Sequence, residues 1–342
     1  MSEYKRDEEF KVKIEELKKK ILPASTALIL THDYPDPDCL ASAFGLSHLL
    51  SYWGVKSTLI SFGGFVGRAE NRAMIRYLNI NTVPFVLTEI EDFDRILLVD
   101  SFPGKGNVSL PQFTPIHAVI DHHPSKIPDD ARFFHHIRTD IGATSTIITR
   151  YLLESDITIN KDLATALFYG IKTDTGDMRR EVSEFDIECY KYLFERIDHQ
   201  ILSKIENPDR DLEYFRILHR ATEAAVYFDD VGYTHLGQVT TPDYVAEMTD
   251  LFHSLERLEW MICSGVFKCQ IFFSIRTKNG SSAGMRAEEL AKRLKGSGGG
   301  HSRAAAGRVP ITKEQSNKSL DDFVLTLKEV FGVGDQEAEK LL

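Results

Sequence analysis

No tract of this chain approaches the roughly 20 consecutive apolar residues that cross a bilayer, so a membrane-spanning protein is not expected. The first twenty residues, MSEYKRDEEFKVKIEELKKK, are densely charged and hold no apolar signal region, and the expectation is a cytoplasmic protein. Cysteine is sparse. Cys39, Cys189, Cys263 and Cys269 are the four, and no two are spaced C-x-x-C, which removes a zinc ribbon and a dithiol redox motif. Scattered buried thiols are expected instead. Positive charge is also short: 41 Lys and Arg stand against 51 Asp and Glu, a formal net charge of −10. Such a chain is a poor coat for duplex DNA, because neutralising phosphates needs a basic field. A short nucleotide substrate remains open, since bound cations can reverse the local sign.

What is present is an ordinary globular composition, 42% hydrophobic and 27% charged over 342 residues. At roughly 150 residues per domain, two domains are expected. Residues 3–20 read as an amphipathic helix with Phe10, Ile14 and Leu17 on one side, ended by Pro23. Short apolar strands follow at 27–32 (ALILTH), in VKSTLISF, at 94–101 (DRILLVDS) and at 116–123 (IHAVIDHH). Helical runs alternate with them: CLASAFGLSHLLSYWG, NRAMIRYL, GATSTIITRYLLES and DLATALFYGIKTDTG. That alternation predicts an α/β domain with a mainly parallel sheet flanked by helices. The polar stretch 195–212 reads as a partly helical connector, and a smaller α/β unit with a mixed sheet follows it. The expected organisation is 1–195 catalytic, 196–225 helical linker and 226–342 substrate-binding.

The polar residues fall in a pattern. His32, Asp36, Asp100, Asp121 and His122 each sit at or just past the C-terminal end of an apolar strand, the edge where open α/β sheets build their sites. In HDYPDPD (32–38), one imidazole and three carboxylates share seven residues with two prolines. Such crowding is costly unless cations neutralise it, although Asp38 alone reads equally as a helix cap. Oxygen-rich sets with a few imidazoles suit Mn²⁺ or Mg²⁺, and also iron or cobalt. With Asp100, the run Asp121, His122, His123, and Asp174 in a threonine-rich loop, the four stretches predict a carboxylate–histidine cage for two metals. Asp33 and Asp177 read as solvated loop acids. The stretch GGFVGRAENRAM (63–74), with Arg68, Asn71 and Arg72, reads equally as a phosphate contact or a helix start. Ser145 and Thr146 read as caps of the helix they open.

Taken together, HxxxDxD at 32–38, VD at 99–100, DHHP at 121–124, GIKTDTG at 170–176 and GGGH at 298–301 resemble the DHH phosphoesterase superfamily. More narrowly, the chain is similar to stand-alone bacterial proteins with a DHH domain and a C-terminal DHH-associated domain. That group includes nanoRNases that also dephosphorylate 3′-phosphoadenosine 5′-phosphate, and relatives acting on cyclic dinucleotides or their linear products. The resemblance spans about residues 25–310. It implies a first metal on His32, Asp36 and Asp100, and a second on Asp38, Asp100, His122 and Asp174, with Asp100 as the bridge. Mn²⁺ is the expected ion, with Mg²⁺ or Co²⁺ as substitutes. His123 and Asp121 are the implied catalytic residues: His123 beside the scissile phosphate as stabiliser or proton donor, Asp121 orienting it. Arg276, Gly298, Gly299, Gly300, His301 and Arg303 are the implied substrate contacts. The sequence departs from the pattern after Arg303, where AAAG is one alanine longer than the usual AAG.

These matches imply hydrolysis of very short RNA to nucleoside 5′-monophosphates, through hydroxide activated between two metals, with the nucleoside bisphosphate as a secondary substrate. The expected partners are short single-stranded RNA, dinucleotides and a nucleoside bisphosphate, with duplex DNA and membranes excluded and a homodimer left open. The alternatives are a phosphodiesterase for cyclic dinucleotides or their linear products, and an inactive nucleotide-binding module. A family II pyrophosphatase is disfavoured by GGGH, and a RecJ-type exonuclease by the short, acidic chain.

Overall fold

Strands of four or five mostly apolar residues form the middle of the first unit, and their burial explains their composition. The computed structural model describes residues 6–105, 107–180, 182–280, 282–300, 302–311, 316–334 and 336–341. It divides into two units, residues 1–208 and 209–342. The elements of the first are α1 (Glu8–Ile21), β1 (Thr26–Leu30), α2 (Pro37–Tyr52), β2 (Ser57–Phe62), α3 (Ala69–Tyr77), β3 (Thr82–Pro84), β4 (Arg95–Val99), β5 (Ala118–Asp121), β6 (Phe134–Ile137), α4 (Thr144–Glu154), α5 (Lys161–Asp174), α6 (Glu184–Phe194) and α7 (His199–Glu206).

The six strands pair in the order β3-β2-β1-β4-β5-β6, every pair parallel. Alternate side chains of a strand face opposite ways, and both faces here are covered. Ala27, Ile29, Leu97, Val99 and Ile120 enter a core shared with α1, α2, α4 and α5. Leu28, Leu30, Ile96, Leu98 and Val119 enter a second core closed by Phe85, Ile90, Phe93, Phe102 and Phe133 from turns and loops. Burial on both faces is why the strands read as unbroken apolar runs. The N-terminal helix behaves as its periodicity predicts: Phe10, Ile14, Leu17 and Ile21 are buried, and Asp7 caps it by accepting from the backbone of Glu9 and Phe10. The sequences of β3 and β6 carry no strand signal. β3 is three residues long and β6 reads FHHI; both pair only along one edge, at the two ends of the sheet.

The second unit contains α8 (Leu212–Ala224), β7 (Val226–Phe228), β8 (Val231–Gln238), α9 (Asp243–His253), β9 (Trp260–Phe267), β10 (Gln270–Thr277), α10 (Ala283–Arg293), β11 (Ser297–Gly300), β12 (Ala304–Pro310), α11 (Ser316–Phe331) and β13 (Glu339–Lys340). Its sheet runs β11-β12-β10-β9-β8-β7-β13. It is mixed: β8 and β9 are parallel and the other pairs antiparallel. Ile271, Phe273 and Ile275 pack with α10 and α11 on one face, and Met261, Cys263 and Leu236 with α8 and α9 on the other.

Three cysteines are buried, as expected, but Cys269 is exposed. Phe267 pairs with Gln270, so Lys268 and Cys269 alone turn the β9–β10 hairpin. Both have positive φ, 45° and 59°, the geometry that lets a two-residue loop match strand twist. Such a loop tip faces outward whatever residues occupy it. Among the described residues no helix is long and apolar enough to cross a membrane.

Candidate metal centre

The sheet order reverses direction between β1 and β4, the switch point where the loops at the carboxyl ends part and leave a crevice. The chain leaves β1 into the loop holding His32 and re-enters a helix at Asp36. That carboxylate caps α2 by accepting from Cys39 N at 3.0 Å, with Pro37 in the first turn, where a missing N–H costs nothing. Asp38 follows in the same turn and is only 1% exposed. Next door, β4 ends directly in Asp100, which is buried and has a φ of 52°. A left-handed aspartate is a strained conformation of the kind held at functional sites. It returns the chain sharply and leaves the carboxylate between its neighbours. His122 and His123 follow β5, and Asp174 is the last residue of α5 rather than part of a loop.

The side chains converge. His32 Nε2 lies 3.6 Å from both Asp36 Oδ2 and Asp100 Oδ2. His122 Nε2 lies 3.1 Å from Asp174 Oδ2 and 3.6 Å from Asp100 Oδ1. Asp100 therefore turns one oxygen to each imidazole. In both histidines Nδ1 donates to a backbone carbonyl, Asp33 O at 2.9 Å and Ile141 O at 3.2 Å. That bond fixes the tautomer with a bare Nε2 facing inward, the usual support for a metal-ligating histidine. Three groups of donors have the spacing of an ion's ligands: His32, Asp36, Cys39 and Asp100; Asp100, His122 and His123; and Asp38, His122 and Asp174.

Charge in this cluster is unbalanced. Burial, followed by the charges of Asp100, Asp174 and Asp36, pushes the Asp38 carboxyl well above its ordinary range. Burial with Asp36 and Asp100 pushes Asp174 up to about 8. The Cys39 thiol is pushed up to about 12, chiefly by burial. The Nε2 atom of His122 is buried and makes no hydrogen bond. Buried carboxylates that resist ionisation, beside an unsatisfied imidazole nitrogen, fit hard divalent cations, which neutralise the first and accept the second.

Asp38 also does structural work. Its two carboxylate oxygens accept from Ser145 N and Thr144 N, each at 2.8 Å. A carboxylate from α2 thus caps α4, where bare N–H groups and the helix dipole favour negative charge. This corrects the expected caps. Ser145 Oγ donates to Asp38 O, Thr146 Oγ1 donates to Asp186 Oδ1, and the N-cap position of α4 is Ala143. Thr144 Oγ1 donates to Asp100 Oδ1 at 2.9 Å, so α4 steadies two of the proposed ligands. Gly170 of α5 makes the arrangement fit: a Cβ there would lie 2.4 Å from Ser145 Oγ and 3.2 Å from Asp38 Cα.

His123 is held by Asp121, which accepts from its Nδ1 at 2.9 Å and its backbone N at 3.0 Å. Hydrogen bonds to Asp100 and Asp121 push the His123 pKa up to about 10. Burial would raise Asp121, but its bonds to His123 outweigh that and lower it. Lys105 Nζ stands 3.7 Å from Asp121 Oδ2.

The neighbouring acids and arginines are accounted for locally. Asp33 is not a solvated acid: it ties down the loop at 109, accepting from Ser109 N and Oγ. Asp177 accepts from Tyr190 Oη. The stretch around 68 is a helix start: Arg72 Nη1 donates to Gly67 O, and Asn71 Nδ2 to Pro35 O, which braces the ligand loop.

The other expected contacts lie in the second unit, and strand register puts them at one end of its sheet. Arg276 pairs with Ala304 and Gly300 with Ala305. Arg303 precedes β12 and is exposed. Arg276 is held in place, Nε donating to Asp250 Oδ1 at 2.6 Å and Nη1 to Ser274 Oγ and Ile275 O at 3.0 Å. The glycine run is an edge strand, not a loop. Gly298 is required by packing, since a Cβ there would lie 2.6 Å from Ala287 O of α10, whereas Gly299 has open space beside it. His301 lies outside the described residues.

Residue spacing alone did not reveal the roles of Cys39, Thr144 and Ser145. For Thr144 and Ser145 the one signal was a run of small hydroxyl residues, GATST, ahead of an apolar helix; Cys39 had none.

The DHH family N-terminal domain matches residues 26–171 and the DHHA1 domain residues 230–332. "Uncharacterized protein MJ1633" of Methanocaldococcus jannaschii is 34% identical over 320 residues, 91% of this chain and 65% of that protein. A "probable manganese-dependent inorganic pyrophosphatase" of Enterococcus faecalis is 26% identical over 151 residues, 44% of this chain and 48% of that protein. The chain thus spans less than two thirds of the length of these relatives. Among solved structures, an "exopolyphosphatase-related protein" from Bacteroides fragilis superposes with a TM-score of 0.73 at 18% identity, over 94% of this chain and 98% of that one. It shares the fold.

Proposed function

The chain is built from a DHH family N-terminal domain and a DHHA1 domain, and from that premise we propose that it is a metal-dependent phosphoesterase that cuts very short oligonucleotides to nucleoside 5′-monophosphates. The nucleoside bisphosphate 3′-phosphoadenosine 5′-phosphate is its secondary substrate. The observation that carries the reading is Asp100, whose two oxygens face two separate imidazoles within one cluster of carboxylates. His32, Asp36 and Asp100 would hold one divalent ion, and Asp38, Asp100, His122 and Asp174 the other, with manganese the ion of choice. Such a pair supplies Lewis-acid stabilisation of a phosphoryl group and activates water at neutral pH.

The chain's own groups divide the remaining work. Asp100 sets the spacing, held by Thr144 and by its own strained backbone. His122 and His32 keep Nε2 inward through their bonds to backbone carbonyls. With Nδ1 of His123 held by Asp121, Nε2 is the atom left to give a proton to the leaving oxygen. Arg276 and Arg303, with the glycine strand and His301, bind the phosphate end of the substrate in the second unit. The α10 N-terminus lies there too, Ala283 N donating to Ser302 O.

The test is a panel of dinucleotides, longer RNAs, cyclic dinucleotides, pyrophosphate and the bisphosphate, each with purified protein and Mn²⁺. Highest kcat/KM on dinucleotides is expected. Preferred turnover of a cyclic dinucleotide or of pyrophosphate would overturn the substrate assignment, and no turnover of any would leave a binding module.

A further inference from the structure

One of the donor groups contains a residue that the carboxylate–histidine scheme does not use. Cys39 Sγ lies with a donor atom from each of His32, Asp36 and Asp100, all within 4.8 Å of one another. Atoms bound to one cation at about 2.0–2.3 Å stand no more than about 4.6 Å apart. The four therefore need to close by only tenths of an ångström around a common ion. The thiol is fully buried, but its hydrogen-bonding partner is polar: Sγ donates to Asp36 O at 3.3 Å. Its place is fixed by the backbone as well. Position 39 is the third residue of the first turn of α2, and its N–H is bound to the Asp36 carboxylate. Wherever Asp36 stands as cap, Cys39 is held beside it.

We propose that Cys39 is a ligand of the cation held by His32, Asp36 and Asp100, so that this position is a sulfur–nitrogen–oxygen site. The position served by Asp38, His122 and Asp174 has nitrogen and oxygen donors alone. The inference rests on the metal reading given under Proposed function and deepens it. Forming the metal–sulfur bond breaks the S–H bond, and the proton leaves to solvent with no change of oxidation state. Thiolate is a soft donor and carboxylate a hard one. The two positions therefore differ in preference: both accept Mn²⁺, but sulfur raises the affinity of the Cys39 position for Zn²⁺, Co²⁺ or Fe²⁺ relative to the other.

X-ray absorption on the full chain loaded with Zn²⁺ or Co²⁺ tests this, with metal content measured on the same samples. The wild type should bind two ions and show a sulfur neighbour at about 2.3 Å, and the cobalt form should show near-ultraviolet thiolate-to-metal charge transfer. Cys39→Ser should lose both signals and bind the first Co²⁺ at least about tenfold more weakly, a lower bound taken from losses of outer-shell partners. Cys189→Ser should keep both signals. The wild-type spectra carry the test even if Cys39→Ser fails to fold. Two ions per chain with only nitrogen and oxygen neighbours would overturn this inference and leave the proposed function standing. A single ion with a sulfur neighbour would overturn the two-metal reading and keep Cys39 as a ligand; a single ion without one, or none, would overturn both.

Discussion

At one end of each sheet the two units gather different side chains. In the first, the strand ends carry Asp100, Asp121 and the ligand loop of His32, Asp36 and Asp38, and burial makes that acidity costly. In the second, one end of the sheet carries Arg276, paired with Asp250, and Arg303 beside a strand of glycines. Under the proposed function, the first would attract cations and the second the anion those cations would act on. A parallel sheet gathers its sites because every strand ends on the same side. The mixed sheet gathers its own through register, which brings the end of β10, the end of β11 and the start of β12 together. The comparison teaches that residues distant in sequence and on different strand types reach a common edge by two separate geometric routes.

The sharpest way to break the comparison is at the shared carboxylate. Asp100→Ala should lower kcat by about 10³-fold or more and reduce metal content. It should keep its fold by circular dichroism but lower the thermal transition of the metal-free protein modestly, because alanine tolerates the positive φ less well and Thr144 Oγ1 loses its acceptor. Near-native turnover would contradict a shared ligand.

The acidic edge also predicts a pH dependence, and its sign follows from Asp174. With no metal bound, its carboxyl is raised to about 8, so below that pH a cation must displace a proton. Apparent Mn²⁺ affinity should therefore fall as pH drops from 8 towards 6, by about tenfold per pH unit for one proton. Calorimetric titrations at pH 6, 7 and 8 check this, and equal affinities would show that the cluster is not charge-frustrated.

Much of this was legible in the residues themselves. The strand–helix alternation and the polar residues at strand ends placed His32, Asp36, Asp100, Asp121 and His122 on one edge, because periodicity and strand termination are local properties. The cap on α4 was not legible: Asp38 and Thr144 are 106 residues apart, and a carboxylate arriving from another helix leaves no local mark. Nor was the glycine run readable as a strand, since three glycines have no strand propensity and owe their pairing to β12 and to close approach by α10. Cys269 read as a buried thiol because composition says nothing about a two-residue hairpin tip.

The second unit gives smaller effects. Arg276→Ala should raise the KM for a dinucleotide about tenfold or more, the cost of one charge-assisted hydrogen bond, with metal content unchanged. A lowered metal content instead would mean the two ends are not separate in function. Smallest of all, catalytic efficiency should be greatest on substrates of roughly two to four nucleotides, because a pocket with few contacts rewards only a few residues of chain. His301→Ala should flatten that preference severalfold while keeping metal. Kinetics on RNAs of increasing length compare the two proteins, and a wild type equally efficient at every length would remove the role given to the glycine strand.

The central claim is that one acidic cluster at the switch point holds two cations across Asp100. Anomalous diffraction at the manganese edge from crystals grown with Mn²⁺ tests it most directly. Two peaks about 4 Å apart, one on each side of the Asp100 carboxylate, are predicted. A single peak, or two peaks that do not share Asp100, would contradict it.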